Sequence, residues 1–293
     1  MKNAAPTPRN ILNGRPIAPL HEQKLDDDYL CQVGASVSCG ACCGLYNVMD
    51  ASRLTLERLL GERTRRFAAV ARTIEGIMQF RTAIETAESQ ERPLPDFHHC
   101  PFLGFVGPYR ETVGCMLHPL EPQNRGMDFR SLSHYGGMAC HIYFCPATRL
   151  LPTRCKQIVR AVVRDWYLYG LLVTEHRLLQ AIFDEIEHRL NRRVFVDDFT
   201  HNDEAREALY NLFLLRVSWP FRRPGPLRLV NYFFNDHRHP RPTIGPDVER
   251  QTIERYHTIL EELETRTDSA EVFRQAGLYL DDKLRALQKR FPS

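Results

Sequence analysis

The sequence is sparing with several residue types. Tryptophan occurs twice in 293 residues, and no cysteine follows Cys155. No apolar run approaches the roughly 18 residues of a membrane span, which speaks against a membrane partner. The opening MKNAAPTPRNILNGRP lacks the apolar stretch of a secretion signal, so a cytoplasmic location is expected. Neither sign of charge dominates. The 39 lysines and arginines face 36 aspartates and glutamates, and a net charge of +3 is too small to argue for nucleic acid. Familiar catalytic signatures are missing too: no G-x-G-x-x-G, phosphate loop, G-x-S-x-G or H-E-x-x-H occurs. The C-x3-C-x2-C spacing of radical-SAM chemistry is also absent, which disfavours that enzyme class.

What the chain does have is thiol, unevenly spread. Its nine cysteines stand at 31, 39, 42, 43, 100, 115, 140, 145 and 155. A cytoplasmic chain keeps thiols reduced and the count is odd, so metal or redox chemistry is expected rather than a disulfide framework. Cys39-Gly-Ala-Cys42 is a C-x-x-C knuckle whose two sulfurs can face one ion, with Gly40 and Gly44 supplying backbone freedom. Cys43 is open: neighbouring side chains diverge, so it serves the same centre, a second one, or none. Cys100 opens CPFLG, Cys115 sits in GCMLHP, and Cys140 and Cys145 form a C-x4-C followed by Pro146. Each lies beside proline or glycine, in turns that commonly carry ligands, and Cys-Pro occurs twice, as at the end of a ferredoxin ligand run.

Any one of these cysteines can equally be a small buried apolar residue. Taken together, Cys39, Cys42, Cys100, Cys115, Cys140 and Cys145 are read as cofactor ligands, with Cys43 added as a metal ligand. Cys155, at the start of an amphipathic helix, reads as structural, and Cys31 is undecided. His98, His99, His118, His134 and His141 lie close by, each read as solvent-facing or hydrogen-bonded. No residue is singled out as catalytic.

Helical periodicity runs through Leu56, Leu59, Leu60, Phe67, Val70, Ile74, Ile77 and Met78, predicting one or two helices between Ser52 and Ser89. From Arg92 to Tyr143 the chain breaks into short Pro- and Gly-punctuated pieces with a small hairpin at PYRETVGCML. This segment is expected to have little core of its own and to need another means of support. Ile158, Val162 and Trp166, then Leu178, Ile182, Ile186 and Leu190, predict a long or broken helix with Pro152 in its first turn. Further helices are expected over 204–217, 247–265 and 269–290. WPFRRPGPLRLVNYFFNDHRHPRP reads as a solvated connector, with His237 and His239 on the surface. The expected fold is mainly α: a flexible arm over 1–30, an irregular metal-stapled cysteine region over 31–150, and a helical region over 151–293 packed against it.

The stretch SVSCGACC, CPFLG, GCMLHP and CHIYFCP, spanning Ser36 to Pro146, resembles the YkgJ-type cysteine-cluster family, described as zinc- or iron-chelating proteins. More distantly it resembles flagellin lysine methylases. Ser36 stands where the family pattern has its first cysteine, and an insert separates Cys115 from Cys140. The resemblance implies metal binding without a defined reaction.

The almost wholly sulfur donor set favours an iron–sulfur cluster, with zinc the alternative. Three functions stay open: a non-enzymatic cluster for electron transfer, sensing or scaffolding; a cluster-dependent enzyme that modifies a protein side chain; and a structural zinc module whose helical half binds a protein partner.

Overall fold

A computed structural model describes residues 30–34, 37–107, 109–227, 254–266 and 269–292, with the backbone of a short antiparallel pair, β1 (Ile11–Leu12) and β2 (Arg15–Pro16). The rest of the expected arm, the connector beyond 227 with His237 and His239, and residues 247–253 of the helix expected over 247–265 lie outside the described residues. The chain is mainly helical, as expected.

Helix α1 (Arg53–Ala68) begins where the Ser52 hydroxyl accepts the Thr55 N–H, and it buries Leu56, Leu60 and Phe67 along one face. Thr73 caps α2 (Ile74–Ala87) in the same way through the Gly76 N–H, and α2 buries Ile77, Phe80 and Ile84. Phe67, Phe80 and Phe102 then meet with ring centroids 4.9–6.2 Å apart. Under them lies an antiparallel hairpin, β3 (Leu103–Val106) and β4 (Thr112–Cys115), in register Leu103 to Cys115. The hairpin thus begins earlier than the expected PYRETVGCML. Its turn uses the left-handed backbone of Gly107 and Arg110.

The expectation that residues 92–143 have little core of their own is corrected for the stretch up to Leu117 only; among the described residues from 118 to 143 the buried side chains are the polar Asn124, Arg130 and Ser133. Phe102, Leu103, Val113, Met116 and Leu117 are all buried in one cluster with Leu45, Tyr46 and the inner faces of α1 and α2. Each such side chain contributes about 1.5–3 kcal/mol when fully buried, so apolar packing holds residues 102–117. Periodicity missed it because the buried residues come from a hairpin and turns rather than from a regular face.

The rest of the chain forms a second core. After the short α3 (Gly136–Ile142) and α4 (Ala147–Leu150), the expected long helix is broken into α5 (Thr153–Val162), α6 (Trp166–Val173) and α7 (His176–Leu190). The Asp165 carboxylate starts α6 by accepting the N–H groups of Tyr167 and Leu168. Then follow α8 (Asp197–Thr200), α9 (Asp203–Phe213), α10 (Leu215–Ser218), α11 (His257–Glu262) and α12 (Ala270–Gln288). Among the described residues no helix is long and apolar enough to cross a membrane.

The two cores share α6. Trp166 and Leu171 pack into the hairpin core, while Leu168, Tyr169, Leu172 and Val173 pack into the helical one. Tyr46 completes the joint. Its hydroxyl donates to the carbonyls of Trp166 (3.2 Å) and Tyr167 (3.1 Å), and its ring lies over Gly170. A Cβ at 170 would sit 2.2 Å from the Tyr46 oxygen. Gly170→Ala is therefore expected to destabilise the protein by about 1–3 kcal/mol in urea unfolding. Adding Tyr46→Phe, which removes the colliding oxygen, should recover part of that loss. A double-mutant cycle with no coupling between the two positions would contradict the contact.

Candidate metal centre

The knuckle Cys39–Gly44 is a single turn of 3-10 helix over Ala41–Cys43, closed by Gly44 at φ 82°. Glycine is needed at 44 because a Cβ there would lie 2.3 Å from the His98 carbonyl oxygen. That close approach lets the segment before the hairpin pair with the knuckle: the Cys100 N–H donates to the Cys43 carbonyl at 2.9 Å. Beside it, His99 Nδ1 donates to the Gly44 carbonyl at 2.7 Å.

Other groups hold this junction in place. Buried Arg63 of α1 donates from Nη1 to the Cys100 carbonyl at 2.9 Å while its guanidinium pairs with Glu88. Asn47 clasps the incoming loop, donating to the carbonyls of Leu94 and Phe97 and accepting the Leu94 N–H. On the other side the Ser38 hydroxyl accepts the Val113 N–H at 2.9 Å, which ties the strand before the knuckle to β4.

The predicted ligands meet around this turn. Cys31 and Cys39 flank the Gln32–Ser38 bridge on its two strands, with the Cys39 N–H donating to the Cys31 carbonyl at 2.7 Å. Cys39 also neighbours Cys42 and Cys145 electrostatically, and Cys43 neighbours Cys100 and Cys115. Cys100 and Cys115 stand at the same end of the hairpin, and each is influenced by Cys140. Cys140 itself lies 3.2 Å from the Ser133 hydroxyl. Cys155 is buried in the helical core beside Arg154, apart from the others. Among the described residues, no group of three or more His, Cys, Asp or Glu side chains is disposed as a ready metal-ion site. The thiols are neighbours rather than a closed cage.

Each of four thiols contributed from separate stretches receives the amide N–H two residues further on. Ala41 donates to Cys39, Phe102 to Cys100, Leu117 to Cys115 and Ala147 to Cys145. In three of them the next amide closes the turn onto the cysteine carbonyl: Leu103 to Cys100, His118 to Cys115 and Thr148 to Cys145. Such donors favour a thiolate over a thiol.

Burial works the other way. It is the main force raising Cys39, Cys115 and Cys145 above the ordinary thiol range, and it pushes Cys100 up to about 11. Mutual repulsion among the sulfurs adds to it. Cys43 is raised first by giving its proton to the Cys42 sulfur, the same bond that lowers Cys42.

Sequence reasoning missed the surroundings of the thiols. Tyr135 neighbours Cys42, Cys43 and Cys100, and Tyr143 neighbours Cys42 and Cys145, so two half-exposed phenols flank the cluster. Buried Arg130, chelated by Asp128, supplies positive charge near Cys115 and Cys140. The five histidines differ: His98 Nε2 and His99 Nε2 are buried without a hydrogen-bond partner among the described residues. His98 stacks on His134 at 3.9 Å, His118 Nδ1 accepts the Leu120 N–H, and His141 bonds Asp128.

Comparison with protein-family models, with curated proteins and with solved structures finds no match. The likeness to the cysteine-cluster family thus rests on the quoted motifs alone.

A pH dependence follows from these environments. The buried thiols keep protons that the unfolded chain sheds above about pH 8.5, so stability of the metal-free chain should fall as pH rises from there. His99 is held well below its usual range by burial and by Arg63, and His98 is lowered to about 4 by burial and by His134. The unfolded chain protonates these histidines below about pH 6.5 while the folded one does not, so stability should also fall from pH 6.5 towards 4. Melting temperature measured across pH should peak between these limits; a flat profile would contradict the assigned burial.

Proposed function

We propose that this chain is a metal-binding protein whose cysteine cluster carries an iron–sulfur centre, with no reaction assigned. The observation that supports it best is the repeated amide-to-sulfur turn at Cys39, Cys100, Cys115 and Cys145, brought from separate stretches to one place. A thiolate bound to a metal is both oriented and stabilised by such donors. A cation would return about 1.4 kcal/mol for every pKa unit by which burial has raised a ligand thiol. The resemblance to the cysteine-cluster family points the same way.

Iron–sulfur is favoured over zinc because the donors are nearly all sulfur. His118 and His141 are committed to the backbone and to Asp128, while His98 Nε2 and His99 Nε2, buried without a hydrogen-bond partner among the described residues, are the nitrogens a zinc site would recruit. The residues that would hold the centre are Cys39, Cys42, Cys43, Cys100, Cys115, Cys140 and Cys145. When bound, an iron–sulfur cluster supplies one-electron chemistry; the chain's own contribution is to orient the sulfurs, hold Arg130 beside them and screen them with Tyr135 and Tyr143.

The protein purified anaerobically should contain iron with matching acid-labile sulfide and show a broad visible absorption. Colourless protein with stoichiometric zinc would replace the cluster by a structural zinc site, and metal-free protein would remove the proposal. The Cys39→Ser/Cys100→Ser double variant should lose its metal yet keep its helical circular dichroism, since both apolar cores remain. Full retention of metal would strike these two residues from the ligand set.

A further inference from the structure

The helical half gathers arginine much as the other half gathers cysteine. After α10 the chain forms an antiparallel bridge between Arg222 and Thr265. The bridge is closed on its two sides, by the Arg223 N–H donating to the Glu264 carbonyl and the Arg266 N–H donating to the Phe221 carbonyl, both at 2.9 Å. Side chains pin it further. The Trp219 indole N–H donates to the Thr265 hydroxyl at 3.0 Å, and that hydroxyl donates to the Leu260 carbonyl at 2.6 Å. Arg222, Arg223 and Arg266 therefore leave a fixed stretch of backbone.

Their charge is not balanced. Among the described residues Glu264 is the one carboxylate paired with any of these three side chains, and it is shared. Its oxygens lie 3.7 Å from Arg222 Nε, 3.3 Å from Arg223 Nη2 and 3.9 Å from Nη1 of buried Arg216 on α10. Of these contacts only that with Arg223 is a hydrogen bond. Arg222 gives one donor to the Arg216 carbonyl. Arg222 Nε and Arg266 Nε are buried without a hydrogen-bond partner among the described residues. A guanidinium taken out of water and left short of acceptors is costly. Burial and the neighbouring Arg216 accordingly lower Arg222 to about 10.

Three cations thus stand against one anion, two negative charges short. The guanidinium fork matches the oxygens of phosphate, and a phosphate dianion carries the charge that is missing. Solvent reaches the group from the side of Arg223, whose side chain is 36% exposed. We infer that Arg222, Arg223 and Arg266 form an oxyanion site that takes a phosphate group, as the free ion or as a phosphomonoester. The site belongs to the helical half and stands independently of the metal-binding reading. Phosphate oxygens offer acceptors to the two Nε–H groups that lack them. Glu264 holds Arg223 in place and, being an anion itself, tempers the affinity.

The test is a titration of the full-length protein with inorganic phosphate at constant ionic strength, balanced with sodium chloride. Calorimetry should show saturable binding of one phosphate per chain, and the melting temperature should rise where chloride alone leaves it unchanged. Arg223→Gln and Arg266→Gln should each weaken binding about tenfold or more, the loss expected for a charge-assisted hydrogen bond. Glu264→Gln should tighten it, and Arg65→Gln, on α1, should leave it as it is. Should a glutamine variant not fold, Arg266→Lys keeps the charge but loses the fork, and should also weaken binding. The same titration with O-phosphoserine separates the sources: tighter binding than inorganic phosphate marks a phosphomonoester, equal or weaker binding marks the free ion. Absence of saturable binding with both probes overturns the inference. So does undiminished phosphate affinity in the arginine variants, which would place the anion elsewhere.

Discussion

The arrangement around the thiols depends on one backbone hydrogen bond, from the Cys100 amide to the Cys43 carbonyl. It joins residues separated by more than fifty positions, and it forms only because Gly44 has no side chain to strike the His98 carbonyl. Once it is made, other groups have fixed places. His99 reaches the Gly44 carbonyl, Arg63 reaches the carbonyl of Cys100, and Asn47 ties down the loop that delivers the histidine pair. Satisfying so many buried backbone groups with side chains is what permits an irregular segment to lie inside the protein.

Two opposing demands meet at this junction. The sulfurs are taken out of water, which favours the neutral thiol, and at the same time they are given amide donors, which favour the anion. The hairpin core with Phe102, Val113 and Leu117 holds Cys100 and Cys115 in place by apolar packing.

The helices were legible because their signals are local. Ser52, Thr73 and Ser269 announce helix starts, and the spacing of Leu56, Leu60 and Phe67 or of Leu178, Ile182 and Ile186 gives the buried faces. The break between α5 and α6 was only half legible: apolar rhythm runs through it, and the Asp165 cap that restarts the helix looks like any other acidic residue. The core under the cysteine region was not legible, since it is assembled from a hairpin, a 3-10 turn and two helices that meet only in three dimensions. The same limit applies to the site. Neighbouring proline and glycine marked the turns at Cys39, Cys42 and Cys100, but Cys115 ends β4 and Cys140 lies within α3, and placing Arg63, Arg130 and the two tyrosines near the thiols needs tertiary contacts that spacing does not encode.

Tyr46 and Gly170 tie the thiol-bearing half to the helical half through a contact with no spare room. Drift at either position is therefore constrained by the other: a descendant that acquires a methyl group at 170 must first surrender the phenol oxygen at 46. Positions 46 and 170 would thus change as a pair over evolutionary time, leaving a covariation signature across the joint even where the surrounding surface diverges freely.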